Sequence, residues 1–504
     1  MLRTRAALLL VVVAFVACGD ASSDDVGASS GGSTSSSGAS PAPTATDPTP
    51  PPTNDPPAGN PNNVPPNFEF RGPLNMGADP YMTFHDGFYY LSTTQGDALR
   101  MWKARTVGEL LAAPPKTIWT DNDPSRNQQI WAPSFYFVDG HWYVYYTASN
   151  GVDDTHRLYV IESDGADALG PYHFKAKLTP PGADVWAIDG ELLKHDNKLY
   201  IAWSGQNANG ARNLLFIAPL SNPWTIGGAR TYLPASGGCP EVREGPSFLY
   251  RNGTSFMVYS ACDTGKPDYQ LWMKSIAPGA DPMVAANWTQ HPAPIMSRND
   301  AMGIWGPGHN GFFKSPDGKE DWIVYHAKNT AAYTYEGRTT RIDKVMWSAD
   351  GLPSLAPVAA TGAARHVPSG DLGGGPFAIN DTDARITYTG NWTAYGQCGV
   401  TCFGGDDHGT TEANAIASFA FEGTQIALLS VRDAGNGIGA VSIDGGPEQE
   451  VDFFMSRRHG EQLVYVSPRL PFGKHTLKLR ATGKKNGGSS GTAISVDRAE
   501  VSTR

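Results

Sequence analysis

One short pattern occurs five times and sets the architecture. It reads DGFYYLST from Asp86, DGHWYVYY from Asp139, DNKLYIAW from Asp196, NGTSFMVYS from Asn252 and DGKEDWIVYH from Asp317. Each copy is an Asp or Asn turn followed by a strand of aromatic and β-branched residues, an ordinary hairpin signal. The turns fall 53, 57, 56 and 65 residues apart. A supersecondary unit repeated at about this period is the signature of a propeller, with one copy per blade. Five copies predict a five-bladed β-propeller over residues 67–367, each blade a four-stranded antiparallel sheet.

The register of the repeat picks out a set of side chains. Seven residues before the turn, the first copy has Asp79 in GADPYM, the second Ala132 in WAPS (Trp131 to Ser134) and the third Asp189 in WAIDGELL. One residue further back, the fourth has Glu244 in EGPSFLY and the fifth His309 in GPGHNGFF. Innermost strands of a propeller line a central channel, so equivalent positions converge on its axis. Asp-Pro and Glu-Gly-Pro are common turn formers, and a lone histidine is more often a satisfied core residue than a ligand. The shared register is what argues for function. Carboxylates on buried strands are costly without a purpose. Clustering raises the pKa of at least one of them by repulsion and desolvation. Two carboxyl groups facing each other, one protonated and one ionised, are the equipment of glycoside hydrolysis. A third nearby can hold the acid's pKa up and orient it.

Composition fits an exported β protein. Of 504 residues, 57 are Gly and 39 Pro, aromatics reach 11% and charged residues only 17%. Long helical patterns are scarce, and the aromatics suit flat, weakly charged ligands such as sugars. The net charge of -10 argues against nucleic acid as a partner. Arg3 and Arg5 precede an apolar run, Ala6 to Ala17, of signal-peptide length and too short to span a bilayer. Residues 1–17 are therefore expected to be a signal peptide. The run ends in FVAC, which resembles a bacterial lipobox and implies cleavage before Cys18 with lipid on its sulfur; an ordinary secretory signal with an incidental cysteine is the alternative. Residues 18–66, rich in Ser, Gly, Thr, Pro and Asn, predict a disordered tether. Four further cysteines in an oxidising compartment suggest two disulfides, paired by proximity as Cys239–Cys262 and Cys398–Cys402. Beyond the linker SGDLGGGP, short alternating runs over 377–504 predict a β-sandwich.

ADPYM with Asp79, WAIDG with Asp189, EGP with Glu244 and GPGHNGFF with His309 resemble, in order, the signature segments of glycoside hydrolase family 43. The resemblance implies a five-bladed propeller and an inverting reaction. Asp79 matches the general base, Glu244 the general acid, and Asp189 the residue that tunes the acid. His309 matches a histidine near the axis that contacts a bound ion or its waters, commonly calcium; no cofactor is otherwise required. TTRIDKVMWSADGLP resembles the last blade, where Arg341 matches an arginine reaching the buried sugar. WAP commonly continues with an acidic residue, and here it is Ser134, which puts subsite detail from that blade in doubt. The wider context looks most like the branch acting on α-L-arabinofuranosides, with β-xylosidase and endo-arabinanase as alternatives within the family. Trp131 and Trp186 flank channel positions as candidates for stacking on sugar; packing between blades is the other reading of both. The C-terminal segments INDTDARITYTGNWTAYG, FGKHTLKLRATGKKN and SVDRAEV resemble galactose-binding-like jelly-roll modules. The expected partner is arabinan or arabinoxylan, met by a monomer that contacts membrane only through its lipid anchor or is secreted. A glycan-binding propeller without catalysis, or a structural surface lipoprotein, would have no need for all of Asp79, Asp189 and Glu244.

Overall fold

The computed structural model describes residues 68–373 and 376–503. The expected signal peptide, the lipid attachment at Cys18 and the tether lie outside the described residues. Those described are all-β, with single 3-10 turns and no α-helix.

Five antiparallel sheets, each of consecutive strands, correspond to the five repeats. Their innermost strands are Ala78–His85, Gln128–Val138, Ala187–His195, Arg243–Arg251 and Trp305–Lys314, which begin blades 1 to 5. Each turns back onto a second strand through the repeated hairpin. In blades 1 to 4 both central turn residues have positive φ: Asp86-Gly87, Asp139-Gly140, Asp196-Asn197 and Asn252-Gly253. That is the turn whose twist matches a hairpin, and Asp, Asn and Gly are the residues that tolerate it. Blades 1, 2, 4 and 5 have four strands; blade 3 adds a fifth, Thr231–Tyr232, on Leu214–Asn222. Each innermost strand packs on the next around the ring, and that of blade 5 packs on that of blade 1.

The aromatic residues serve mainly as wedges between blades. Tyr81 of blade 1 meets Phe135 of blade 2 edge-on at 5.0 Å, and Phe135 continues to Trp142. Trp142, Trp203 and Tyr325 are fully buried. Composition pointed to sugars, but most of these rings hold the propeller together instead. Closure of the ring uses a separate ladder, Glu69–Arg71 against Ala364–His366. Phe70 from this ladder is 2% exposed. It sits in one apolar cluster with Leu91 and Trp102 of blade 1 and Phe313 and Trp322 of blade 5.

Past the propeller, a four-stranded sheet contains 377–380, 498–502, 425–432 and 459–466, and a five-stranded sheet contains 386–389, 416–423, 473–484, 438–443 and 449–452. Ile426, Leu428 and Val501 of the first and Phe419, Leu477 and Leu479 of the second belong to one apolar core. Both expected disulfides are present, Cys239–Cys262 and Cys398–Cys402.

Candidate active site

Every innermost strand breaks its ladder at the same place. The register shifts lie between Ala78 and Tyr81, Trp131 and Ser134, Ile188 and Glu191, Glu244 and Ser247, and Gly308 and Gly311. Inside each break one residue takes a left-handed backbone: Asp79 (φ 53°), Ala132 (43°), Asp189 (60°), Gly245 (52°) and His309 (46°). These bulges are the true equivalent positions, because an inserted residue kinks the strand and re-aims its side chain. In blade 4 the position belongs to Gly245, and Glu244 precedes it. A Cβ on Gly245 would lie 3.2 Å from the His309 ring, so both backbone and space call for glycine there.

Each bulge is held by the preceding blade. The Ala132 N–H donates to Thr94 Oγ1 (2.8 Å), that of Asp189 to Thr147 Oγ1 (3.0 Å) and that of His309 to Ser260 Oγ (2.8 Å). The ring closes with the Asp79 N–H donating to His326 Nδ1 at 3.2 Å. In blade 4 the Gly245 N–H turns instead to Asp189 Oδ2 at 3.0 Å, while Ser204 Oγ donates to the Arg243 carbonyl at 2.8 Å. Buried N–H groups need such partners, and here the partners fix where the catalytic candidates point.

The three carboxyl groups have different surroundings. Asp79 is 9% exposed. Its Oδ2 accepts from Thr94 Oγ1 at 2.8 Å, and its Oδ1 accepts from Arg338 Nη1 at 3.1 Å with His309 Nδ1 at 3.4 Å. Burial works to raise its pKa, but the Arg338 guanidinium, with His309 beside it, outweighs burial and holds the carboxyl well below the usual range. Glu244 keeps some exposure and accepts from the Tyr269 hydroxyl at 2.8 Å. Burial, then the charges of Asp79 and Asp263, push its pKa up to about 7. Asp189, 6% exposed, is raised well above the carboxylate range by burial and by the charges of Glu244 and Asp79. His326 is lowered to about 4, chiefly by burial, so its ring is neutral and its Nδ1 is free to accept.

The other candidates divide. Trp131 is half-buried and packs on the His156 ring at 4.2 Å. Trp186 is 5% exposed beneath the Arg212 guanidinium, a packed position rather than an open platform. Arg341 is not brought to the carboxylates. It is 2% exposed and donates to Asn329 Oδ1 and Thr361 Oγ1, both at 2.7 Å, in the body of blade 5. The arginine at the carboxylates is Arg338, three residues earlier, on the loop before that strand. Ser134 donates to the Gly190 carbonyl at 3.1 Å. Beside it Glu191, raised to about 8 by burial, accepts from the Tyr136 hydroxyl. A buried acid therefore sits near the position where Ser134 replaces one. Nδ1 of His309 faces Asp79, so an ion or its waters would have to be met by the other ring nitrogen, Nε2. Among the described residues no three His, Cys, Asp or Glu side chains are grouped to hold a metal. No step below uses an ion.

Known glycosidases resemble this chain over the propeller. Over 313 residues the chain is 36% identical to the extracellular exo-alpha-(1->5)-L-arabinofuranosidase of Streptomyces avermitilis, covering 58% of this chain and 65% of that one. It is 33% identical to alpha-L-arabinofuranosidase 43 of Humicola insolens, covering 55% and 61%. The chain thus spans less than two thirds of the length of either relative. The crystal structure of an alpha-L-arabinofuranosidase from Lactobacillus brevis superposes with a TM-score of 0.54 at 30% identity, covering 58% of this chain and 98% of that one. The model of the glycosyl hydrolases family 43 matches residues 72–353, from the first blade into the last, and the chain belongs to that family.

Proposed function

We propose that the protein is an inverting, exo-acting α-L-arabinofuranosidase that releases arabinose from arabinan or arabinose-decorated polysaccharide. The observation that carries this reading is the contrast between Asp79 and Glu244, two carboxyl groups at one site pulled in opposite directions. Glu244, held protonated up to about pH 7, donates its proton to the glycosidic oxygen as the bond to the anomeric carbon breaks. Asp79, held ionised by Arg338, takes a proton from the water that attacks the opposite face. Asp189, whose raised pKa favours the protonated form, stands beside the acid and orients it by accepting the Gly245 N–H. Thr94, Arg338 and His326 position the base. The named relatives support the arabinofuranoside over a xyloside.

In the same reading, the C-terminal sheets form a β-sandwich of the galactose-binding-like jelly-roll type over 377–504. The leader directs export, Cys18 carries lipid, and residues 18–66 tether the propeller (67–367) to a membrane surface as a monomer. The extracellular names of two relatives support export.

Glu244→Ala tests the acid. On arabino-oligosaccharides, whose leaving group needs protonation, kcat should fall by about 10²–10⁴-fold with the thermal unfolding curve unchanged. Retained activity would remove Glu244 from the role. Release of xylose from an aryl β-xyloside, with no arabinose released from any substrate, would keep the family and overturn the substrate.

A further inference from the structure

We infer that the C-terminal region forms one wall of the substrate cleft, and that this cleft takes the sugar units flanking the arabinose being released. The inference rests on the arabinofuranosidase reading and extends it to the rest of the chain. A cavity of about 850 Å³ begins at Ala78, Thr94 and Arg338. The first adjoins Asp79, and the other two are bonded to its carboxylate. From there the cavity runs along residues 111–115 of blade 1, and its far wall is Gln449, Leu463 and Arg469 of the C-terminal sheets. A space of this size is in the range of ligand clefts and holds a short oligosaccharide.

The chemistry of the lining suits an uncharged, polyhydroxylated chain. Its charged groups already have partners. Arg338 is on Asp79, Glu336 accepts from Ser456 Oγ at 2.6 Å, and Arg469 meets Glu109 at 3.4 Å. What remains to face a ligand are the Gln449 amide and the side-chain oxygen of Gln95, whose Nε2 donates to Thr93 Oγ1 and the Thr94 carbonyl, beside the apolar surfaces of Tyr335 and Leu463. Amides supply directional hydrogen bonds, and aromatic faces stack on sugar rings.

The far wall is fixed rather than loosely apposed. Gln425 Nε2 donates to the Ala112 carbonyl at 3.3 Å, and Leu111 shares an apolar cluster with Ala427 and Leu429. The loop that delivers Arg338 is clamped by the same region. Glu336 is held by Ser456, and at Gly337 (φ 71°) a Cβ would come within 2.5 Å of the His459 ring. The C-terminal region therefore touches both the cleft and the loop that carries the arginine setting the state of Asp79.

The test compares an aryl α-L-arabinofuranoside with linear α-1,5-arabino-oligosaccharides of increasing length, using the full chain and its Gln449→Ala, Gln95→Ala and cleft-filling Gln449→Trp variants. In the wild type kcat/KM should rise with chain length. The variants should flatten that rise through KM, each alanine costing roughly fivefold on the longest substrate, the worth of one hydrogen bond. The loss on the aryl glycoside should be smaller. A wild-type rise that persists in all three variants, or no rise in the wild type, would overturn the cleft inference while leaving the activity standing. A wild type that releases arabinose from no substrate would overturn both.

Discussion

Asp79 and Glu244 differ by one methylene, and their neighbours set them to opposite charge states. Arg338 and His309 stabilise the ionised form of Asp79, whereas burial and the charges of Asp79 and Asp263 destabilise the ionised form of Glu244. The sign of the pH dependence follows. The acid works protonated, so kcat/KM should fall as pH rises through about 7. The base works ionised, so activity should persist on the acid side to below the ordinary carboxylate range of about 4. Asp263→Asn removes one of the charges that raise Glu244 and should move the falling limb to lower pH; a pH profile of kcat/KM reads this, and an unmoved limb would separate Asp263 from the acid. The carboxylates were legible because each sits at a countable distance before a turn. Their partners were not. Arg338 and Tyr269 lie on loops with no period, and the family resemblance points to Arg341, on the strand three residues further along.

At the level of the strand, the recurrent device is a bulge clasped by the hydroxyl of the blade before it. Thr94, Thr147, Ser204 and Ser260 each stand eight residues after their turn, at positions 86, 139, 196 and 252. That recurrence is present in the chain and marks the site independently of the carboxylates. The one-residue offset has a different origin in blades 4 and 5. In blade 4 the bulge stays seven residues before the turn, at Gly245, and Glu244 is its neighbour; in blade 5 a longer hairpin loop, residues 315–320, sets His309 one residue further back. Thr147→Val keeps the shape of a fully buried side chain and removes the acceptor of the Asp189 N–H. It should destabilise the fold by about 1–3 kcal/mol, the cost of an orphaned buried donor. Urea unfolding measures it, and a loss under about 0.5 kcal/mol, the size of an ordinary surface change, would mean the clasp adds nothing to the fold.

Across the whole molecule, each blade is built from its own stretch of chain, so no shared strand locks the first blade to the last. The lock is the ladder of Glu69–Arg71 with Ala364–His366 and the Phe70 ring between blades 1 and 5. Phe70→Ala should therefore cost about 3–5 kcal/mol, read as a lowered urea midpoint. A near-neutral result would place ring closure elsewhere. Five-fold organisation was readable because it is periodic. The cleft wall at Gln449 and Leu463 was not, since it joins segments hundreds of residues apart with no common pattern. The left-handed bulges carry one more consequence. The ring presents five mounts of one backbone pose, and that pose restricts what fits: apart from glycine, the left-handed region is kept mainly to Asn, Asp and His. That short alphabet happens to be an amide, an acid and a base, the groups a reaction centre is made from. With Ala132 and Gly245 carrying no ionisable group, two mounts remain blank. The chemistry of such a ring can be rewritten by single substitutions while every strand stays where it is.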